Sequence, residues 1–185
     1  MRKNNKVKKN NGCSFILFSG IMLILIFFLI MGSNNNGEDE RLNYIENTKH
    51  LAISLSKRYG LFPSVIVAQS ALESNYGRSK LSVEYKNYFG IKGKGKSFNT
   101  TEFVDGSKIS VNDSFRVYET KEDCFIDYCL LITKAKRYKR VLKAKDYREA
   151  TKLLKECGYA TDPKYDEKIN FIIDKYALSD LDFEL

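Results

Sequence analysis

The feature that most constrains this chain is a short helical run that is apolar almost all the way round. Phe62-Pro63-Ser64-Val65-Ile66-Val67 opens it, and Ala68-Gln69-Ser70-Ala71-Leu72-Glu73-Ser74-Asn75-Tyr76-Gly77-Arg78-Ser79 completes it. Pro63 suits the first helical turn, where a missing N–H removes no hydrogen bond. Gly77 suits the position just past the last turn, where φ becomes positive. The spacing predicts a helix of about three to four turns. Val65, Ala68, Leu72 and Tyr76 form its inner stripe, widened by Ile66 and Val67. Such a helix has to lie at the centre of whatever folds around it. Glu73 then falls in the last turn, beside the negative end of the helix dipole, and partial burial adds to that effect; both raise a carboxyl pKa. A carboxyl that holds its proton near neutral pH is a candidate general acid. Taken alone, the residue reads as a solvated glutamate at a helix end. Its neighbours in the sequence change that reading.

The chain has 185 residues, enough for one compact domain and an appendage. Five of its eight net positive charges, on Arg2, Lys3, Lys6, Lys8 and Lys9, lie in the first ten residues. The basic balance is therefore largely a property of the tail, which argues against a nucleic-acid partner. Ser14 to Met31 is an 18-residue run with no charge, rich in Ile, Leu and Phe. Its length as a helix is about 27 Å, close to the hydrocarbon thickness of a bilayer. The expectation is a single membrane-spanning anchor over 14–32. The basic tail 1–13 would be cytoplasmic and everything from Ser33 onward outside the cell membrane. A cleaved signal peptide competes with this, but bulky Ile30 or Met31 would fill the position two before the cut, so an uncleaved anchor is favoured.

Beyond Cys13, the cysteines are Cys124, Cys129 and Cys157, with no Cys-x-x-Cys spacing. One disulfide with a spare thiol and three buried thiols both remain open. The single histidine, His50, excludes a multi-histidine metal centre. No metal and no cofactor is expected.

Residues 33–39 read as a flexible tether. From Glu40 to Tyr59, apolar residues recur at helical spacing and Gly60 closes the run. After the central helix, Ser79 to Tyr85 reads as one more short helix. Lys86 to Lys96 reads as an exposed, glycine-rich basic loop. Residues 97–118 are rich in strand formers, with Asp105-Gly106 as a hairpin turn and Asn112-Asp113 as a second turn signal, which predicts two or three antiparallel strands. Helical periodicity returns over Phe125 to Ile132, Tyr147 to Cys157 and Tyr165 to Tyr176, and the acidic segment 179–185 reads as loosely held. The fold class is α+β: a mainly helical domain over 40–178 interrupted by one small antiparallel sheet.

Three blocks carry a resemblance. Ala68-Gln69 through Glu73-Ser74-Asn75-Tyr76-Gly77-Arg78-Ser79, then Asn87-Tyr88-Phe89-Gly90-Ile91-Lys92-Gly93, then Gly158-Tyr159-Ala160-Thr161-Asp162-Pro163-Lys164-Tyr165 resemble the signatures of the bacterial endo-β-N-acetylglucosaminidases of glycoside hydrolase family 73. The likeness covers roughly residues 45–178. It implies a lysozyme-like fold and an autolysin-type enzyme that cuts the β-1,4 bond after N-acetylglucosamine in peptidoglycan strands. It implies Glu73 as the general acid, Glu102 as a second acid on the hairpin, and Tyr159 as an aromatic hydroxyl lining the cleft. Asn87, Tyr88, Phe89, Tyr76 and Asp162 are implied at the substrate, and Asp105 and Glu84 stay open as alternatives to Glu102. The expected partners are peptidoglycan and, through the N-terminal helix, the membrane; the protein is expected to act as a monomer. A muramidase or lytic transglycosylase on the same fold is the competing enzymatic reading. A silent wall-binding scaffold module is the competing non-enzymatic one.

Overall fold

The computed structural model describes the backbone of residues 12–104 and 107–184, with side chains over 36–97 and 112–183. The chain divides into two compact units, Met1–Arg41 and Leu42–Leu185. Helix α1 spans Gly12–Tyr59. The apolar run 14–31 falls on it where side chains lie outside the described residues, and the segment 33–39 is helical as well, part of α1. Among the described residues no helix is long and apolar enough to cross a membrane.

In the second unit the order is the end of α1, α2 (Pro63–Ser74), α3 (Lys80–Tyr85), β1 (Lys92–Val104), β2 (Ser107–Phe115), α4 (Lys121–Lys134), two short 3-10 turns, α5 (Tyr147–Glu156), α6 (Tyr165–Lys175) and a 3-10 segment, Leu178–Glu184. Helix α2 is buried along nearly its whole length: every residue from Pro63 to Ala71 is buried, with Ile66, Val67, Ala68 and Ala71 fully so. It packs on α5, α6 and the C-terminal segment. Tyr44, Ile45 and Leu55 of α1 join Phe125, Tyr128 and Ile132 of α4 in the same core.

The two ends of α2 are built differently. At the start Pro63 takes the first helical position after an extended Phe62, which offers no side-chain cap. The missing cap comes from Asp182, whose Oδ1 accepts the Ser64 N–H at 3.0 Å and whose Oδ2 accepts the Ser64 hydroxyl at 2.7 Å. The acidic C-terminal segment is thus packed, not loose: Leu178 is fully buried and Leu181 nearly so. The physical reason is that two leucines and a cap recover more free energy docked on α2 than the segment loses in chain entropy. At the other end the chain turns through three left-handed residues, Asn75, Tyr76 and Gly77. The helix therefore ends three residues before Gly77, and Tyr76 lies outside it. Gly77 is still required: its φ is +74°, its N–H donates to Ser74 Oγ at 2.7 Å, and a Cβ there would come within 2.8 Å of the Tyr44 ring.

The sheet has two antiparallel strands, in register from Lys96 opposite Phe115 to Val104 opposite Ser107, with a bulge between Lys92 and Lys96. Asn112-Asp113 lies within β2 and makes no second turn, because Asn99 and Phe98 pair with it across the ladder. The basic loop likewise ends early, at Lys92, where β1 begins. Gly95 marks the closest approach: a Cβ there would meet the Phe115 carbonyl oxygen at 2.0 Å. A two-stranded sheet is not stable alone. This one is tied to the helical body at its base, where Arg116 N–H donates to Ile91 O at 2.9 Å and Tyr118 N–H to Tyr85 O at 3.0 Å. Cys124, Cys129 and Cys157 are free thiols, the first two buried.

Candidate active site

Glu73 occupies the last turn of α2 and lines a groove of about 500 Å³. Phe89 and Gly90 from the loop before β1, Arg116 after β2, Arg137 and Tyr138 from the first 3-10 turn, and Tyr159 to Thr161 after α5 form much of the rest. The groove therefore runs between the base of the hairpin and the helical body. Glu73 keeps partial exposure along it. Burial of the carboxyl pushes its pKa up to about 7, against the lowering effect of a hydrogen bond from the Tyr165 hydroxyl to Oε1 at 2.6 Å. A group with that pKa is protonated about half the time at neutral pH, as a general acid must be.

Tyr159 lies beside it. Its ring stacks on Tyr165 with centroids 5.7 Å apart and meets Tyr128 edge-on at 6.2 Å. Its hydroxyl donates to the Phe89 carbonyl at 3.3 Å, which ties the α5–α6 connection to the opposite groove wall. Burial raises the Tyr159 pKa well above the usual phenol value, aided by the nearby Glu73 charge. Tyr159 therefore stays a neutral hydroxyl. Phe89 is 2% exposed and stacks on Tyr128 at 4.0 Å, as part of the groove floor.

The other implied residues are placed elsewhere. Asn87 is buried; its Nδ2 donates to the carbonyls of Ile91 and Arg116, and its Oδ1 accepts the Ile91 N–H, all at 3.0 Å. It locks the loop that carries Phe89. Tyr88 packs against Tyr44 and Phe125, under the ammonium of Lys121. Tyr76 faces a separate, mainly apolar depression with Leu72, Phe171 and Ile172. Asp162 accepts from Lys168 and, at 2.9 Å, from the Lys164 N–H, which shapes the turn into α6. Glu102 lies on β1 opposite Ile109, with its side chain outside the described residues, as is all of Asp105. Glu84 is exposed on α3. No three metal-binding side chains cluster among the described residues.

Two residues to which the motifs assign no role are joined to Glu73 by hydrogen bonds. Tyr165 touches it, and Gln69, fully buried, touches Tyr165 at 2.9 Å. The available signal was spacing: Gln69 and Glu73 are four apart and share a helix face, so a polar side chain inside an apolar stripe points to the acid.

A buried helix ending in a proton-holding carboxyl, over a groove walled by a small hairpin, defines a lysozyme-like glycoside hydrolase domain. The chain belongs to the glucosaminidase family, described as mannosyl-glycoprotein endo-beta-N-acetylglucosaminidase, which it matches over residues 49–178. It is 36% identical over 153 residues to the exo-glucosaminidase LytG of Bacillus subtilis, covering 78% of this chain and 54% of LytG. It is 34% identical over 136 residues to the peptidoglycan hydrolase FlgJ of Escherichia coli, covering 68% of this chain and 44% of FlgJ. The catalytic domain of the autolysin Auto from Listeria monocytogenes superposes with a TM-score of 0.66 at 35% identity, over 77% of this chain and 88% of that domain. The chain thus spans about half the length of the curated relatives it matches.

Proposed function

We propose that this protein hydrolyses peptidoglycan glycan strands at the β-1,4 bond after N-acetylglucosamine, with Glu73 as the general acid. One observation carries the assignment: among the described residues the groove is lined by a single carboxyl, and burial lifts its pKa to about 7. Protonated Glu73 gives its proton to the oxygen that leaves as the glycosidic bond breaks, and the sugar carbon takes on oxocarbenium character. The second role, support of that cation, is assigned to Glu102 on the hairpin or to the N-acetyl oxygen of the substrate itself. Tyr159, neutral and fixed between the two groove walls, is suited to hold the sugar at that position.

The composition of residues 2–9 and 14–31 supports a cytoplasmic N-terminus and one membrane-spanning anchor, which would present a monomeric domain to glycan near the outer face of the membrane. The test is product analysis. The detergent-solubilised full chain is incubated with purified peptidoglycan and the fragments are read by mass spectrometry. New reducing-end N-acetylglucosamine is expected. Muramic-acid reducing ends would assign a muramidase, anhydromuramic ends a lytic transglycosylase, and saturable binding without fragments a scaffold module.

A further inference from the structure

We infer that Gln69 is a positioning residue that gives a buried hydrogen-bond relay a single direction, so that Tyr165 always donates to Glu73 Oε1 and the transferable proton is confined to Oε2. This rests on the reading of Glu73 as the acid and assigns a residue to that reaction that never touches the substrate.

The relay has three links. The Tyr128 hydroxyl donates to Gln69 Oε1; Gln69 Nε2–H donates to the Tyr165 oxygen at 2.9 Å; the Tyr165 hydroxyl reaches Glu73 Oε1 at 2.6 Å. A side-chain amide is neutral, with an acceptor at one corner and only donors at the other. Its orientation therefore sets the direction of everything attached to it. Tyr128 decides that orientation. It is 1% exposed, and its hydroxyl proton has Gln69 as its acceptor among the described residues. Turning the amide over would present NH₂ to that hydroxyl and strand a buried O–H, at the cost of an unmade hydrogen bond. With Oε1 held by Tyr128, Nε2 must face Tyr165. Tyr165 then already accepts one hydrogen bond, and its own proton has Glu73 Oε1 in reach.

The consequence for chemistry is directional. A protonated Glu73 that gave its proton to Tyr165 would be turned inward and useless as an acid. The relay forbids that arrangement, because a donated O–H already occupies Oε1. It also steadies the carboxylate left behind after transfer. The other ionisable groups around Glu73 are Tyr159 after α5 and Tyr128 on α4, with Arg116, Arg137, Tyr138 and Lys92 along the groove. None of them replaces the Tyr165 donor at Oε1 among the described residues.

The test compares Gln69→Met, Tyr165→Phe and Tyr128→Phe in the detergent-solubilised full chain, on soluble uncross-linked glycan strands. Wild type and Glu73→Gln serve as references. Expected for Gln69→Met is a fall in kcat of about tenfold or more with KM within about twofold, and an alkaline limb of the kcat–pH profile displaced to higher pH, because the Tyr165 donor to the carboxylate is no longer polarised or fixed in direction. Tyr165→Phe shifts the limb the same way, and the double variant is no worse than the single ones, since both cut one chain. Tyr128→Phe gives a smaller shift of the same sign. Where a variant does not fold, 3-fluorotyrosine at position 165 keeps the packing and strengthens the donor, so the limb moves to lower pH. An unmoved limb with kcat within twofold in Gln69→Met, a limb moved to lower pH in Tyr165→Phe, or no response to the fluorotyrosine overturns the relay. If wild type releases no fragments or Glu73→Gln retains activity, the functional reading falls and takes the relay with it.

Discussion

Helix α2 has a half-buried carboxyl at each end, its own Glu73 and Asp182 of the C-terminal segment, and the two are used in opposite ways. Asp182 sits at the N-terminal end, and Glu73 is part of the C-terminal turn. Burial raises the pKa of both. What separates them is how many of their oxygens are taken. Both Asp182 oxygens accept from Ser64, one from its N–H and one from its hydroxyl, and the helix dipole favours a negative charge there. That carboxyl is consumed by holding the fold. Glu73 has one oxygen held by Tyr165 and lies where the dipole disfavours charge. Its second oxygen is left for chemistry. On the proposed reading, burial alone does not make a catalytic acid; burial over a groove, with one oxygen left without a hydrogen bond among the described residues, does.

The contrast can be broken at either end. The largest effect is expected for Glu73→Gln, which should lower kcat on peptidoglycan by about 10²- to 10⁴-fold, the usual contribution of a general acid, with circular dichroism unchanged. Gly77→Ala comes next. It forces a Cβ into a left-handed position and against Tyr44, at an expected cost of about 1–3 kcal/mol in chemical denaturation. It should also lower activity by more than that stability loss explains, because the turn holds the end of α2. Asp182→Ala strips the cap from Ser64 and should cost about 1–2 kcal/mol, seen as a lower Tm, while kcat stays within twofold. Full activity loss in Asp182→Ala would show that the two ends are not separate.

The smallest effect has a sign set by pH. The folded pKa of Glu73, about 7, lies above its ordinary 4.5. The folded state therefore binds the proton more tightly, and ionising the group destabilises the fold progressively as pH rises from about 4.5 to 7. Glu73→Gln, which mimics the protonated form, should match wild-type Tm well below pH 4.5 and exceed it above pH 7, by a gain on the order of 1–2 kcal/mol after allowance for the group's partial exposure. Equal melting curves at both pH values would mean that Glu73 is not held away from water.

Much of this was legible in the chain itself. Pro63 opens α2 where the sequence places it, since a fixed φ and a missing N–H suit only that position. Glu73 falls in the last turn for the same local reasons. Gly77 closes the turn, but the helix gives out earlier, at Ser74, because Asn75 tolerates the left-handed region and Ser74 Oγ accepts the Gly77 N–H. Asn112-Asp113 has the composition of a turn because those residues favour one in isolation. Pairing across the hairpin overrides that preference. The C-terminal segment has the composition of a loose tail because its acids suit water, and its two buried leucines have meaning only against α2.

Local covalent chemistry and hydrophobic period thus settled where α2 begins, that it is central and which glutamate falls in its last turn, since those depend on residues a few positions apart. Tertiary packing decided what that glutamate can do. Its donor is 92 residues away at Tyr165, Tyr128 stands 59 positions from the Gln69 it orients, and the cap at the far end of the helix comes from 118 residues downstream. Contacts at that separation leave no periodicity in the chain, because they are made by the packing of whole helices and not by neighbours along it.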